Sequence, residues 1–376
     1  KRLKKVMRNV MSWIKNSVLI IISTIVAIIG ADVLIGYSAP EVQFPVERRG
    51  AERYVLLREI NPNFKAKYIP TDEYLNSTDS LERKGYLVKT DRDGFIENGN
   101  NINFTENDES IIFFGGSTTE QLFVNEEYRW QSILERKLNE GERISKLKII
   151  NAGVSGNNLM HSTVNLLAKG LPLKPKFVVL MHNVNDYGLL RLSGSYWKSP
   201  VDKSLLQIKD ETSLRPLMIS IKDTFVPNIY EIYKIVKYKI SNNDDFNSIR
   251  DEEIVSLEIV ESNFRKALNT FIDLSFTWGI EPVLMTQFNR INSEDELFKS
   301  SFNGQDIEQY IKGYTRLNDV IREVSFNRKV DLIDLDKLIP STSDYIYDSV
   351  HLNENGSKLA ADIMINYWRN KLTSTK

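Results

Sequence analysis

Five short apolar runs, Ile111 to Phe114, Leu147 to Asn151, Phe177 to His182, Pro282 to Thr286 and Val330 to Leu335, punctuate the chain after residue 110. The first is continuous rather than alternating, the pattern of a strand covered on both faces, and runs straight into Gly115-Gly116-Ser117. The stretches near 158 to 169, 254 to 277 and 305 to 325 carry helical periodicity between them. Trp130, Ile133, Leu134 and Leu138 recur at the same spacing after the first run, so core packing accounts for Trp130. Leu359, Ala360, Ile363, Met364 and Trp368 do so within a closing segment from Asn355 to Lys371. Strand and helix in strict alternation predict the α/β class, a parallel sheet with helices on both faces.

What precedes residue 110 reads differently. The chain has 376 residues, enough to bury a large core with the first 40 or so outside it. Ser17 to Tyr37 holds one charge, Asp32, over about the ~20 residues that a spanning helix needs, and is expected to be a transmembrane helix. A signal peptide fits less well, because its apolar stretch is normally about 7 to 15 residues and Pro40 after Tyr37-Ser38-Ala39 makes a poor cleavage junction. Lys1, Arg2, Lys4, Lys5, Arg8 and Lys15 have no acidic counterpart, whereas Glu41 and Glu47 mix with Arg48 and Arg49 on the far side. That asymmetry predicts a single-pass membrane protein with a cytoplasmic N-terminus and an extracytoplasmic domain, periplasmic or at the cell surface.

The expected organisation is a basic tail over 1–16, the membrane helix over 17–37, a stalk and small β-rich lead-in over 38–107, and a catalytic domain over 108–376. The lead-in is polar, with Pro62, Pro70, an Asp93-Gly94 turn and the tract ENGNNINFTEN, and reads as loops and a hairpin rather than core. Residues 190–250, with YWKSP and SNNDDFNS, fit no unit of the alternation and read as an insertion that lines the pocket. Lys and Arg total 49 against 50 Asp and Glu, so nucleic acid is an unsuitable partner. Cysteine is absent, which excludes disulfides, thiol catalysis and cysteine-ligated metals.

Four islands sit where strands end, the edge at which open α/β sheets place their chemistry. Gly115-Gly116-Ser117-Thr118-Thr119 presents a serine after two glycines. Taken alone it reads as a helix N-cap. In Asn151-Ala152-Gly153-Val154-Ser155-Gly156-Asn157, two glycines flank a turn whose main-chain N–H can enter the crevice. Asn183-Val184-Asn185-Asp186 offers the Asn185 side-chain amide, or by itself an Asx turn. Asp348-Ser349-Val350-His351 separates a carboxylate and an imidazole by three, so that Asp348 can fold back onto Nδ1 while Nε2 faces the serine. Together they supply a nucleophile, an oxyanion hole and a base, which points to a serine esterase or acyltransferase. His161 and His182 are the other two histidines; His161 reads as packed or exposed, His182 as a structural histidine near the crevice. A three-histidine metal site with Asp186 has no supporting spacing, and the G-x-S-x-G elbow of α/β-hydrolases fails at Thr119.

Over residues ~110 to 372 the order and spacing of these islands resemble the SGNH hydrolase family, also called the GDSL family. The resemblance implies a flavodoxin-like three-layer α/β/α sandwich. It matches Ser117 to the nucleophile, and Ser117, Gly156 and Asn185 to the oxyanion hole. Asp348 and His351 match the D-x-x-H of the last block. Gly116 departs from the aspartate of G-D-S, and Asn183-Val184 from the usual glycine-containing block. The activity implied is an esterase that removes acetyl or other short acyl groups from a cell-surface carbohydrate. An O-acyltransferase to a polysaccharide hydroxyl, or a non-catalytic glycan-binding or assembly protein, remain as alternatives. The expected partners are an acylated small molecule or polysaccharide and the membrane; no cofactor is implied, because triad chemistry needs none.

Overall fold

The structure is a computed structural model and describes residues 2–38, 53–55, 57–105, 107–141, 146–198, 205–208, 255–292, 294, 298 and 307–374. The chain divides into two compact units, residues 1–52 and 53–376. The described residues of the first form a helix, α1 (Arg2–Ser38). Val18, Leu19, Ile20, Ile21, Ile22, Ile25, Val26, Ile28 and Ile29 are all exposed on it. Among the described residues no helix is long and apolar enough to cross a membrane. The span expected over 17–37 is not found among the described residues.

The second unit runs β1 (Arg53–Val55), β2 (Lys65–Tyr68), α2 (Asp72–Asn76), β3 (Tyr86–Lys89), β4 (Glu109–Gly115), α3 (Ser117–Glu120), α4 (Trp130–Leu138), β5 (Leu147–Gly153), α5 (Leu159–Asn165), β6 (Phe177–Met181), α6 (Val184–Ser193), β7 (Leu206–Ile208), α7 (Leu257–Thr277), β8 (Glu281–Met285), α8 (Ile307–Arg328), β9 (Asp331–Ile333), α9 (Leu335–Leu338) and α10 (Glu354–Ser374). Five strands form one parallel sheet in the order β5-β4-β6-β8-β9. That order reverses direction after β5, the arrangement of flavodoxin-like doubly wound sheets.

Alternation within each strand feeds two cores. Ile112, Phe114, Ile150, Val178, Leu180 and Leu284 face Phe264, Phe271, Leu317 and Ile321 of α7 and α8. Ile111, Phe113, Ile149, Phe177, Val179 and Met285 face Trp130 and Leu134 of α4 and Met364 and Trp368 of α10. Three layers result, and the apolar runs are continuous because both faces are covered. Trp130 packs edge-on to Phe113 with ring centroids 4.8 Å apart.

The lead-in corrects its sequence reading. Strands β2 and β3 do pair as a hairpin, Lys65 opposite Lys89, and Gly94 takes a turn at φ +77°. Yet Tyr86, Val88, Phe95 and Ile96 are buried core residues, and the Asn98 amide donates to the Ile149 carbonyl at 2.6 Å. Polar composition hid this, because the segment lies on a surface already made by the sheet and needs few apolar side chains of its own. The insertion begins later than expected, since Leu190 to Ser193 still belong to α6. Its β7 pairs antiparallel with β1, and residues 209 to 250 of it lie outside the described residues.

Trp368 is fully buried against Phe177, centroids 4.9 Å apart. Trp368→Ala is expected to cost about 3 to 5 kcal/mol of stability, read as a lower midpoint in urea denaturation followed by circular dichroism.

Candidate active site

The sequence islands converge at the C-terminal edge of the sheet, where β4, β5 and β6 end side by side: Gly115 pairs with Gly153 on one flank and Met181 on the other. Ser117 is the first residue of α3, immediately after β4. Its Oγ lies 2.8 Å from His351 Nε2, and His351 Nδ1 lies 2.7 Å from Asp348 Oδ2. Serine, imidazole and carboxylate thus form a continuous hydrogen-bonded line. Asp348 Oδ1 accepts the main-chain N–H of Val350 at 2.9 Å and of His351 at 2.8 Å, so the three-residue spacing closes as a tight turn.

The electrostatics favour an ionised carboxylate beside a basic imidazole. Burial pushes the His351 imidazole down, but the Asp348 charge and hydrogen bond outweigh it and hold the group above its ordinary 6.5. Burial likewise pushes the Asp348 carboxyl up, yet His351 and two main-chain N–H donors hold it below 3.8. The ionised carboxylate raises the basicity of neutral His351, whose Nε2 is placed to accept a proton from Ser117, and it stabilises the imidazolium then formed.

Gly156 and Asn185 complete the constellation. Gly156 adopts φ +76°, a left-handed conformation that a side chain would strain. Among the described residues neither the Ser117 nor the Gly156 main-chain N–H has an acceptor within the protein. The Asn185 amide donates one N–H to the Asn157 carbonyl at 2.8 Å, which leaves its second for an oxygen bound beside Ser117. A Cβ at Gly116 would stand 2.5 Å from Asn185 Nδ2. This glycine, which departs from the G-D-S pattern, is what allows the amide to lie so near the serine.

His161 and His182 stand outside the line. His161 Nδ1 accepts the Asn158 N–H at 3.1 Å and caps α5. His182 Nε2 bonds to Ser162 Oγ at 2.7 Å, and its Nδ1 lies 3.3 Å from Asp186 Oδ2 without hydrogen-bond geometry. Both are buried. Asp186 accepts the Leu159 N–H and the Tyr196 hydroxyl, so it serves packing between α5 and α6.

Five supporting residues stand outside the sequence candidates. Arg58 donates to the Gly156 carbonyl at 3.0 Å, and its own carbonyl accepts the Asn157 and Asn165 amides. Buried Glu120 accepts the Ser155 N–H at 2.6 Å, and burial drives its carboxyl up. Gln287 bridges Thr118 Oγ1 at 2.7 Å and the Val184 N–H at 2.8 Å, tying the ends of β4 and β6 together. Arg290 Nε donates to the Asp348 carbonyl at 2.7 Å while its far nitrogen pairs with Asp79. Tyr74 donates its hydroxyl to Asp348 Oδ2 at 3.0 Å. Only Glu120, on the first island's helix, could have been suspected from position; the others lie outside the motifs.

Two-dimensional NMR titration of His351 should give a pKa above 6.5. In Asp348→Asn the carboxylate's upward pull is gone while burial persists, so the value should fall below that of the wild-type chain and below 6.5.

No protein-family model matches the sequence, and neither does any curated protein. Among solved structures, a lipase/acylhydrolase from Enterococcus faecalis is 16% identical, covering 70% of this chain and 96% of its own, with a TM-score of 0.42. A lipolytic protein of the G-D-S-L family from Veillonella parvula is 13% identical over 69% of this chain and 97% of its own, TM-score 0.39. The acetyl xylan esterase AlAXEase is 18% identical over 69% of this chain and 98% of its own, TM-score 0.40. At such identity and overlap these likenesses carry no argument, and fold and site stand on this chain's own geometry.

Proposed function

We propose that the protein is a serine ester hydrolase of the SGNH type that removes acetyl or other short acyl groups from a carbohydrate at the cell surface. The observation that carries this reading is the line Ser117 Oγ, His351 Nε2, His351 Nδ1, Asp348 Oδ2, with contacts of 2.8 and 2.7 Å. In the reaction, His351 takes the Ser117 proton as Oγ bonds to the ester carbonyl carbon. The developing oxyanion accepts from the Ser117 N–H, the Gly156 N–H and the Asn185 amide. Collapse breaks the ester C–O bond, and the departing alcohol takes the proton from His351. Water, deprotonated by the same imidazole, then attacks the acyl-enzyme; acid is released and Ser117 regains its proton.

A polar alcohol portion is supported by a cleft of about 240 Å³ lined by Ser80, Glu82, Lys84, Phe123, Asn353 and Glu354, among others. It adjoins the triad through Tyr347, whose ring stacks on His351 with centroids 5.6 Å apart. The exposed apolar side chains of α1 support a membrane anchor, and the basic residues before them a cytoplasmic N-terminus. On that reading, deletion of residues 1–39 moves the protein from the membrane fraction to the soluble one after alkaline extraction.

The test is hydrolysis of an activated acetyl ester by the full chain in detergent micelles. Ser117→Ala should lower kcat by at least about a thousandfold, and Asn185→Ala by about 10² to 10³ with little change in KM. Equal background rates in wild type and Ser117→Ala would overturn the hydrolase reading. Because His351 must be neutral to act, kcat/KM should fall as pH drops through a value above 6.5.

A further inference from the structure

Asp348 makes four hydrogen bonds through its carboxylate, and three of them come from its own loop: Val350 N–H, His351 N–H and His351 Nδ1. The fourth comes from far away in sequence. Tyr74, on the short helix α2 of the lead-in, donates its hydroxyl to Oδ2 at 3.0 Å, the same oxygen that faces His351. The ring is held for this purpose from several sides. It packs against Phe123 with centroids 5.4 Å apart and edge-on to Tyr347 at 6.5 Å. Thr71 Oγ1 caps its N–H at 3.2 Å, and the following turn is fastened to the catalytic loop by the Asp79 N–H on the Tyr347 carbonyl at 2.9 Å.

We propose that Tyr74 is a positioning residue of the Ser117, His351 and Asp348 relay, fixing the rotation of the Asp348 carboxylate and sharing its negative charge. The inference rests on the hydrolase reading above. A carboxylate bonded only within its own tight turn can tilt with that turn; a donor anchored on a separate element pins Oδ2 in line with Nδ1. Burial and the Asp348 charge push the Tyr74 phenol well above its ordinary 10.0, so it remains a donor throughout the working pH range. By dispersing the charge on Oδ2, the phenol also weakens the pull of Asp348 on the imidazolium. Tyr74 therefore moderates how basic His351 becomes.

The other groups facing this pair are Tyr347, stacked on His351, Glu120, whose charge reaches His351, Arg290 on the Asp348 carbonyl, and Asp79 on Arg290. Tyr74→Phe leaves these side chains in place and keeps the ring contacts, removing only the hydroxyl with its bonds to Asp348 and, at 3.5 Å, to the Tyr347 hydroxyl.

The experiment compares pH profiles of acetyl ester hydrolysis for the full chain, Tyr74→Phe and Ser117→Ala. Loss of the donor should move the acid limb of kcat/KM upward by about half to one pH unit and lower plateau kcat by about three- to tenfold, with KM unchanged. Site-specific 3,5-difluorotyrosine at position 74, a stronger donor, should move the limb downward. A Tyr74→Phe profile that superimposes on the wild type after scaling, whatever its rate or melting temperature, would overturn the inference, since packing alone does not shift a pKa in this way. Wild type no faster than Ser117→Ala would instead sink the hydrolase reading. NMR titration of His351 then still decides the role of Tyr74: its pKa rises in Tyr74→Phe if the phenol shares the carboxylate's charge, and stays put if it does not.

Discussion

A parallel sheet has two apolar faces and no hairpins, and everything else in this molecule follows from that constraint. Each strand must be followed by a crossover that covers a face before the next strand can begin. The strand ends therefore gather at one edge of the sheet, and the loops leaving them start from a rigid base. Gly115, Gly153 and Met181 stand in register on adjacent strands. Whatever follows each strand end within a few residues must then share one crevice, and Ser117, Gly156 and Asn185 do.

A second theme is the expense of placing charge in that crevice. Asp348 and His351 are both largely withdrawn from water, which disfavours ionisation of each taken separately. His351 and the Val350 and His351 main-chain N–H donors keep the carboxylate ionised, and its charge and hydrogen bond in turn raise the imidazole. The half-buried cluster of Arg265, Arg316, Glu261 and Glu323, at the solvent boundary, offers a contrast. Ion pairs of that kind contribute about 0 to 1 kcal/mol in water, whereas hydrogen bonds to charged groups out of water contribute about 1.5 to 3. The network around Asp348 is consequently where electrostatics governs the geometry of the site.

The lead-in gains its importance from the same physics. Arg58 grips the Gly156 turn, Tyr74 reaches Asp348, and Asp79 pairs with Arg290. These contacts hold the Gly156 turn after β5 and the Asp348 loop before α10. The segment is thus part of the second compact unit rather than a spacer before it.

The sequence by itself determined the class of fold, because periodicity is a local property: a short continuous apolar run closed by glycine or another turn residue and set between helical periods reads as a strand covered twice, as Ile111 to Phe114 and Phe177 to Met181 do. It also offered Ser117 and Asn185 as candidates after strand ends and Asp348 with His351 by their spacing of three, and the family resemblance added Gly156. Only the tertiary structure brought Ser117 to His351 across 234 residues and assigned Tyr74, Arg58, Gln287 and Arg290 their tasks. A hydroxyl or guanidinium acquires such a task from whatever stands opposite it after folding, and single residues in polar loops leave no period by which that partner could be foreseen. The two-sided burial of the sheet decided the first set; long-range contact, which sequence spacing does not encode, decided the second.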